Sequence, residues 1–247
     1  LQDRYAGDIG DYLKLALLRA LMPGRTLGVA WWLFPDESRN GNGRHTGYLR
    51  APEKWRGLDA KLFDFLGRVV DGGARCVSAL QDPGLFEGAV FFDEAMPIPE
   101  KFGERKAARA EWFDRALATL SKCDLVFVDP DNGLEPTGFS HGSKNAGKSI
   151  TLDELRDLNA PGRTVVAYHH QTRRGGGHLD ELAYWAERLK AHGFQCVDAV
   201  RARSYSPRLF FLLNASETLR QRACELVTSW PQSFSWYPDR SAPPCSG

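Results

Sequence analysis

The sequence contains no apolar run long enough to span a bilayer, and its opening segment LQDRYAGDIGDY lacks the apolar stretch of a signal peptide. Both absences predict a protein that is neither membrane-inserted nor exported. No charge of one sign dominates: 32 Lys and Arg face 31 Asp and Glu, for a net charge of +1. A general basic field for nucleic acid is thereby excluded, and any such binding must come from a local patch. There is no CxxC spacing among the five cysteines, Cys76, Cys123, Cys196, Cys224 and Cys245. Scattered and odd in number, they predict free thiols in a reducing compartment, with the cytoplasm as the expected location, and neither a zinc site nor a disulfide frame. No internal repeat or linker divides the chain. The reading is one domain over residues 1–230, with residues 231–247 as an irregular tail rich in Pro and Ser.

Globular composition, 43% apolar and 26% charged, allows a sizeable core. Helical periodicity marks residues 11–21, 58–70, 106–121, 151–158 and 179–192. Thr151 with Glu154 forms a capping-box pattern at the start of one of these. Short apolar runs at 26–34, 74–80, 89–92, 124–129 and 163–169 read as strands. The run Leu125-Val-Phe-Val128 is continuous enough for a central parallel strand covered on both faces. Residues 195–201 and 208–214 are two final strands whose short connection permits only antiparallel pairing. The alternation predicts an α/β fold: a doubly wound, mainly parallel, Rossmann-like sheet with a C-terminal antiparallel strand pair. In such sheets ligands bind beyond the carboxyl ends of the strands.

Four segments there carry candidate chemistry. In Glu37-Ser-Arg-Asn-Gly41-Asn-Gly43-Arg44, two glycines would let backbone amides approach a ligand, although Asn-Gly pairs also suit an ordinary turn. At Asp129-Pro130-Asp131-Asn132-Gly133-Leu134-Glu135 a carboxylate ends a buried strand and three polar side chains follow it, more than a plain turn needs. In Tyr168-His169-His170, adjacent histidines on a strand face opposite ways, so at most one reaches a given site. Arg173 and Arg174, next to three glycines, with Arg201, Arg203, Arg208, Lys144 and Lys148, could form a basic rim or simply be solvated. At the amino end, Asp8 and Asp11 read as helix caps, with Lys14 one turn inside.

These residues resemble the bacterial ribosomal-RNA large-subunit adenine-N6 methyltransferase J family. Ala6-Gly7, Asp11, Leu13 and Lys14 are similar to its amino-terminal AGNHADVLKH. The Glu37–Arg44 loop lines up with its DTHAGAGR, and Asp129-Pro130 with the start of its DPPY. The chain looks closer still to a group of bacterial and phage-associated proteins, of no assigned activity, that share a DPDNGLE motif and a YxH strand. The resemblance implies a methyltransferase-type sheet, S-adenosylmethionine as cofactor and an amine of a nucleic-acid base as target. Lys14 would then contact the cofactor's carboxylate, Glu37, Gly41 and Gly43 would shape its pocket, and Asp93 would hold the adenine amine. Asp129, with Asp131, Asn132 and His169 beside it, would form the catalytic corner, and Arg173, Arg174 and Arg203 would contact nucleic acid.

Departures from the pattern leave other readings open. DPPY becomes Asp-Pro-Asp131-Asn132, which loses the aromatic expected against the target base. The acid expected for the cofactor ribose falls at Leu80, with Gln81 or Asp82 as substitutes. A hydrolase on nucleic acid, nuclease or glycosylase, could use Asp93, Glu94, Asp129, Asp131 and Glu135, either as Mg²⁺ ligands or directly, with His169 or His170 as base. A non-catalytic nucleic-acid-binding module is the third reading.

Overall fold

The computed structural model describes residues 2–35, 45–73, 75–172, 174–239 and 241. The first long helix, α1 (Ile9–Leu21), is capped by the Asp8 carboxylate, which accepts the Asp11 N–H at 3.0 Å. Residues 9–18 of this helix are all buried, so it has no solvent face along its first turns. Any polar side chain there must find a partner inside the protein.

Strand β1 (Leu27–Ala30) leads to the short helix α2 (Pro52–Trp55) and the amphipathic α3 (Ala60–Asp71). Strand β2 (Val90–Phe92), helix α4 (Arg105–Thr119) and strand β3 (Leu125–Val128) follow. After β3 come two-residue strands β4 (Gly133–Leu134) and β5 (Ser149–Ile150), which pair only with each other. Helix α5 (Leu152–Leu158) opens with the capping box read from the sequence. The last half is β6 (Thr164–His170), α6 (Gly177–Ala191), β7 (Val197–Ala202), β8 (Arg208–Leu213), α7 (Glu217–Ser229) and β9 (Phe234–Tyr237).

The fold is α/β. Seven strands form one sheet in the order β2-β1-β3-β6-β8-β7-β9. Strands β2, β1, β3 and β6 pair in parallel, while β8 is antiparallel to both β6 and β7, and β9 is antiparallel to β7. Alternate residues feed two cores. Leu125, Phe127, Val166 and Phe210 pack with α1, α3 and α7, whereas Val126, Val128, Val165 and Phe211 pack with α4, α5 and α6. Helices thus cover both faces, which is why the strands are apolar on both. Among the described residues, no helix is long and apolar enough to cross a membrane.

Three expectations are corrected. The run at 74–80 is not a strand: Val77–Leu80 is a 3-10 turn whose buried residues, Val77 and Leu80, are three apart and not two. The tail is not wholly irregular, because Phe234–Tyr237 adds an edge strand in register with Ala202 to Ala199. The spacing of Leu219, Ala223 and Leu226 makes residues 217–229 a helix beside α1, unmarked in the sequence reading.

Candidate functional site

The chain leaves β1 for β2 on one side and continues at β3 on the other, so the order of strands reverses between β1 and β3. Crevices open at such reversal points, beyond the carboxyl ends of the strands. Here β1 ends in a sharp bend: the fully buried Trp32 has φ 51°, in the left-handed region, and packs edge-on against Trp112 at 4.7 Å. Asp129, the residue after β3, prolongs the ladder by donating its N–H to the Ala30 carbonyl at 3.1 Å.

A cleft of about 420 Å³ lies at this edge, bounded by the start of α1, the corner after β3, the end of β6 and the β7–β8 turn. Its floor is a buried ion cluster. Lys14 Nζ reaches Asp129 Oδ2 at 2.6 Å and Asp11 Oδ1 at 2.7 Å, and all three side chains are about 5% exposed or less. The second Asp11 oxygen accepts the Gly7 N–H at 3.1 Å. Burial alone would drive Lys14 towards neutrality, but the two carboxylates outweigh it and hold its pKa above the ordinary lysine value. For Asp129 and Asp11 burial wins: both are raised above the usual carboxylate value, with Lys14 opposing the shift. The signal for this cluster was present in the sequence as Asp11 and Lys14 at i,i+3 spacing, inside a helix otherwise almost wholly apolar along its buried turns. Asp11 was read there only as a cap.

The acidic corner is built by backbone. Gly133 donates to the Pro130 carbonyl at 3.2 Å, and Asn132 N–H to the Lys148 carbonyl at 2.8 Å. Asp131, which accepts from the Gln2 side chain, and Asn132 line the cleft with Asp129. Glu135 does not join them; it lies 3.6 Å from Arg188 on α6.

Strand β6 divides its last three side chains between faces. Tyr168 and His170 line the cleft, with the Tyr168 hydroxyl and His170 Nδ1 3.3 Å apart. Burial raises the Tyr168 pKa to about 12, and the sunken part of the His170 ring, with Arg208 beside it, lowers that of His170. His169, the histidine expected at the catalytic corner, points the other way and is buried. Its Nδ1 accepts the Leu134 N–H at 3.1 Å, so its Nε2 carries the proton and donates to Glu181 at 3.1 Å. Glu181 also accepts from the Thr172 backbone N–H and hydroxyl, at 2.9 and 2.8 Å. A strut therefore runs from the loop after β6 through Glu181 and His169 to the turn carrying Asp131.

Burial opposes ionisation of Glu181, but the bonds from His169 and Thr172 prevail and bring its pKa down to about 2. Its stabilising contribution is thus present above the ordinary 4.5 and lost as pH falls towards about 2. Glu181→Gln is expected to cost about 1.5–3 kcal/mol at neutral pH, the range for hydrogen bonds to a charged group. The deficit should shrink in acid, read from denaturant midpoints across pH. An unchanged midpoint at neutral pH would remove the strut.

The other expected residues are dispersed. Asp93 follows β2, exposed, and accepts from Gln81 at 3.0 Å outside the cleft. Arg174 stacks on Tyr184 at 3.7 Å, and Arg203 is tied to the Pro231 and Phe234 carbonyls, so neither faces the cleft. Glu37, Gly41, Gly43 and Arg173 lie outside the described residues. Besides Lys14 on the floor, Arg4, Lys148 and Arg208 line the cleft, and the His45 ring lies among them. Among the described residues no group of three His, Cys, Asp or Glu could hold a metal ion. The proposed Mg²⁺ set of Asp93, Asp129, Asp131 and Glu135 does not converge, because Glu135 lies against Arg188, Asp93 bonds Gln81 and Asp129 holds Lys14. No protein-family model matches the chain, and no curated protein matches it.

Proposed function

We propose that the chain is an S-adenosylmethionine-dependent methyltransferase acting on an amine of a nucleic-acid base. The observation that carries this reading is the Asp129 carboxylate, fixed at the foot of the cleft by Lys14 at 2.6 Å, where the strand order reverses. The order of the strands supports it too. An antiparallel strand, β8, is inserted between two strands that run in the common direction, β6 and β7, as expected for a methyltransferase-type sheet.

The chemistry suits the residues. The cofactor, when bound, supplies a methyl group on a positively charged sulfur. Three buried carboxylates, Asp8, Asp11 and Asp129, against one buried ammonium leave the floor fit for a cation. Methyl transfer to an amine asks mainly for placement and exclusion of water, and little for proton transfer. Asp129 would accept a hydrogen bond from the target amine and aim its lone pair. Lys14 would act through Asp129, holding it ionised and in place, and not on the cofactor's carboxylate as the resemblance implied. Asp93, at the end of the strand beside β1, would bind the cofactor's ribose in this reading, in place of the adenine contact that the resemblance implied. The metal-hydrolase reading lacks a converging ligand set among the described residues. A pure binding module has no use for a buried ion cluster, since burying charge costs stability that apolar packing would not.

Calorimetry with S-adenosylmethionine tests this directly. The wild type should bind it in the micromolar range. Asp129→Asn should lower methyl transfer to nucleic acid by about 10²-fold or more, as when an oriented polar group is lost from a reacting centre, and weaken cofactor binding by a smaller factor, since one carboxylate of the floor is gone. Absence of cofactor binding to the wild type would overturn the reading.

A further inference from the structure

The turn between β7 and β8 holds the most exposed aromatic side chain near the cleft. Tyr205 is 63% exposed and has φ 62°, a left-handed conformation that is strained for a residue with a side chain. Arg208 explains the shape. Its Nη1 donates to the carbonyls of Ser204 at 3.2 Å and Ser206 at 2.9 Å, folding the turn around the guanidinium and throwing residue 205 outward. Glycine or asparagine would fill such a position at less cost, yet the chain places a tyrosine there. Its ring lies against that of His45, centroids 4.5 Å apart and 33° from parallel. His45, Ser206 and Arg208 all line the cleft, so this aromatic pair stands at its mouth.

We propose that Tyr205, backed by His45, is a stacking platform for a second, unpaired base beside the cleft, making the substrate a single-stranded segment of nucleic acid and not a free nucleotide. The inference rests on the proposed function and names its substrate. An exposed ring at a cation-lined opening matches how single strands are held: bases stack on aromatic faces while basic side chains follow the phosphates. Arg4, Lys148 and Arg208 supply those cations here. A base in a duplex already has its neighbours stacked and its edge paired, so it gains little from a lone aromatic at a rim. Strain held at an exposed aromatic is also where binding sites tend to store it.

The test uses the full chain and a labelled, unstructured oligonucleotide in RNA and DNA forms, the same sequence as a duplex, and adenosine monophosphate. Fluorescence anisotropy should show Tyr205→Ala weakening the better-bound single strand by about 5- to 100-fold, the range for one lost stacked base. Tyr205→Trp should hold wild-type affinity. Adenosine monophosphate, too short to reach the rim, should bind both variants like the wild type. The proposal is overturned if Tyr205→Ala binds the oligonucleotide normally, if mononucleotide affinity falls in proportion, or if duplex binds as tightly as single strand. Calorimetry with S-adenosylmethionine on the same variants keeps the two ideas apart. Normal cofactor binding with an unaffected oligonucleotide sinks the platform alone, whereas absent cofactor binding in the wild type sinks the methyltransferase reading.

Discussion

Lys14→Met is expected to lower stability by about 3–5 kcal/mol at neutral pH, the cost of leaving a buried charge without its partner. The ammonium bonds both Asp11 and Asp129, at 2.7 and 2.6 Å. Methionine fills the space but leaves two desolvated carboxylates facing each other across it. The deficit should depend on pH with a definite sign. Asp11 and Asp129 are both raised above 3.8 in the native protein, so just above that value the native state holds protons that the unfolded chain has lost. Stability falls as pH rises through such a window. Removing Lys14 deletes the cause that lowers both, so the window widens, and the variant should be nearest the wild type in acid and farthest at neutral pH. The Glu181→Gln deficit also shrinks in acid, but only between the ordinary 4.5 and about 2, so one set of urea midpoints separates the two by the pH at which each closes. A second variant, with Asp11→Asn and Asp129→Asn added to Lys14→Met, should recover much of the loss, because a neutral, hydrogen-bonded set needs no counter-charge. A loss of less than about 1 kcal/mol for Lys14→Met, the scale of an exposed ion pair, would mean the ammonium is not enclosed as described.

How much of this was legible in the sequence depends on whether the signal was local. Leu125–Val128 reads as a central strand because four consecutive apolar residues need cover on both faces, and the corner at Asp129 follows from it. The antiparallel strands β7 and β8 follow from a connection too short for a crossover. What failed needed partners far away in sequence. The period of two along β6 separates His169 from Tyr168 and His170, but only the position of α1 decides which face is the cleft. Nothing near Arg203 announces that the Pro231 and Phe234 carbonyls will take its guanidinium. Asp93 was placed one strand too far out because residues 74–80 were counted as a strand. Once they form a turn, β2 is the immediate neighbour of β1, and Asp93 follows the second strand of the sheet and not a third. Tyr168 comes to line the cleft beside the Asp-Pro-Asp-Asn corner because its strand is adjacent, with Val128 in register with Ala167.

That corner also yields the second large effect, at Gly133. Its φ is 84°, and a Cβ built there would sit 2.4 Å from the Cα of His169 and 2.6 Å from its Nδ1. A flexible side-chain tip could move aside, but a strand Cα cannot without disturbing its ladder, and His169 is in register with Leu209 of β8. Gly133→Ala therefore adds backbone strain to overpacking, and the two together predict a loss of about 3 kcal/mol or more. Gly138 is the internal control. Its φ is 77°, but nothing lies within 4 Å of its would-be Cβ, so Gly138→Ala should cost only the conformational term, about 1–2 kcal/mol. The difference between the two variants, from denaturant midpoints, isolates the close approach of the corner to His169. Relief at Gly133 can come only by lifting the turn off His169, which breaks the bond from the Leu134 N–H and carries Asp131 and Asn132 with it. Amide exchange at Leu134 should accordingly speed up in Gly133→Ala more than global destabilisation accounts for, and ligand affinity of the cleft should drop although no residue lining it has changed. Equal costs for the two alanine variants would mean that the turn and the strand do not touch, and the strut from Glu181 would then have nothing to hold.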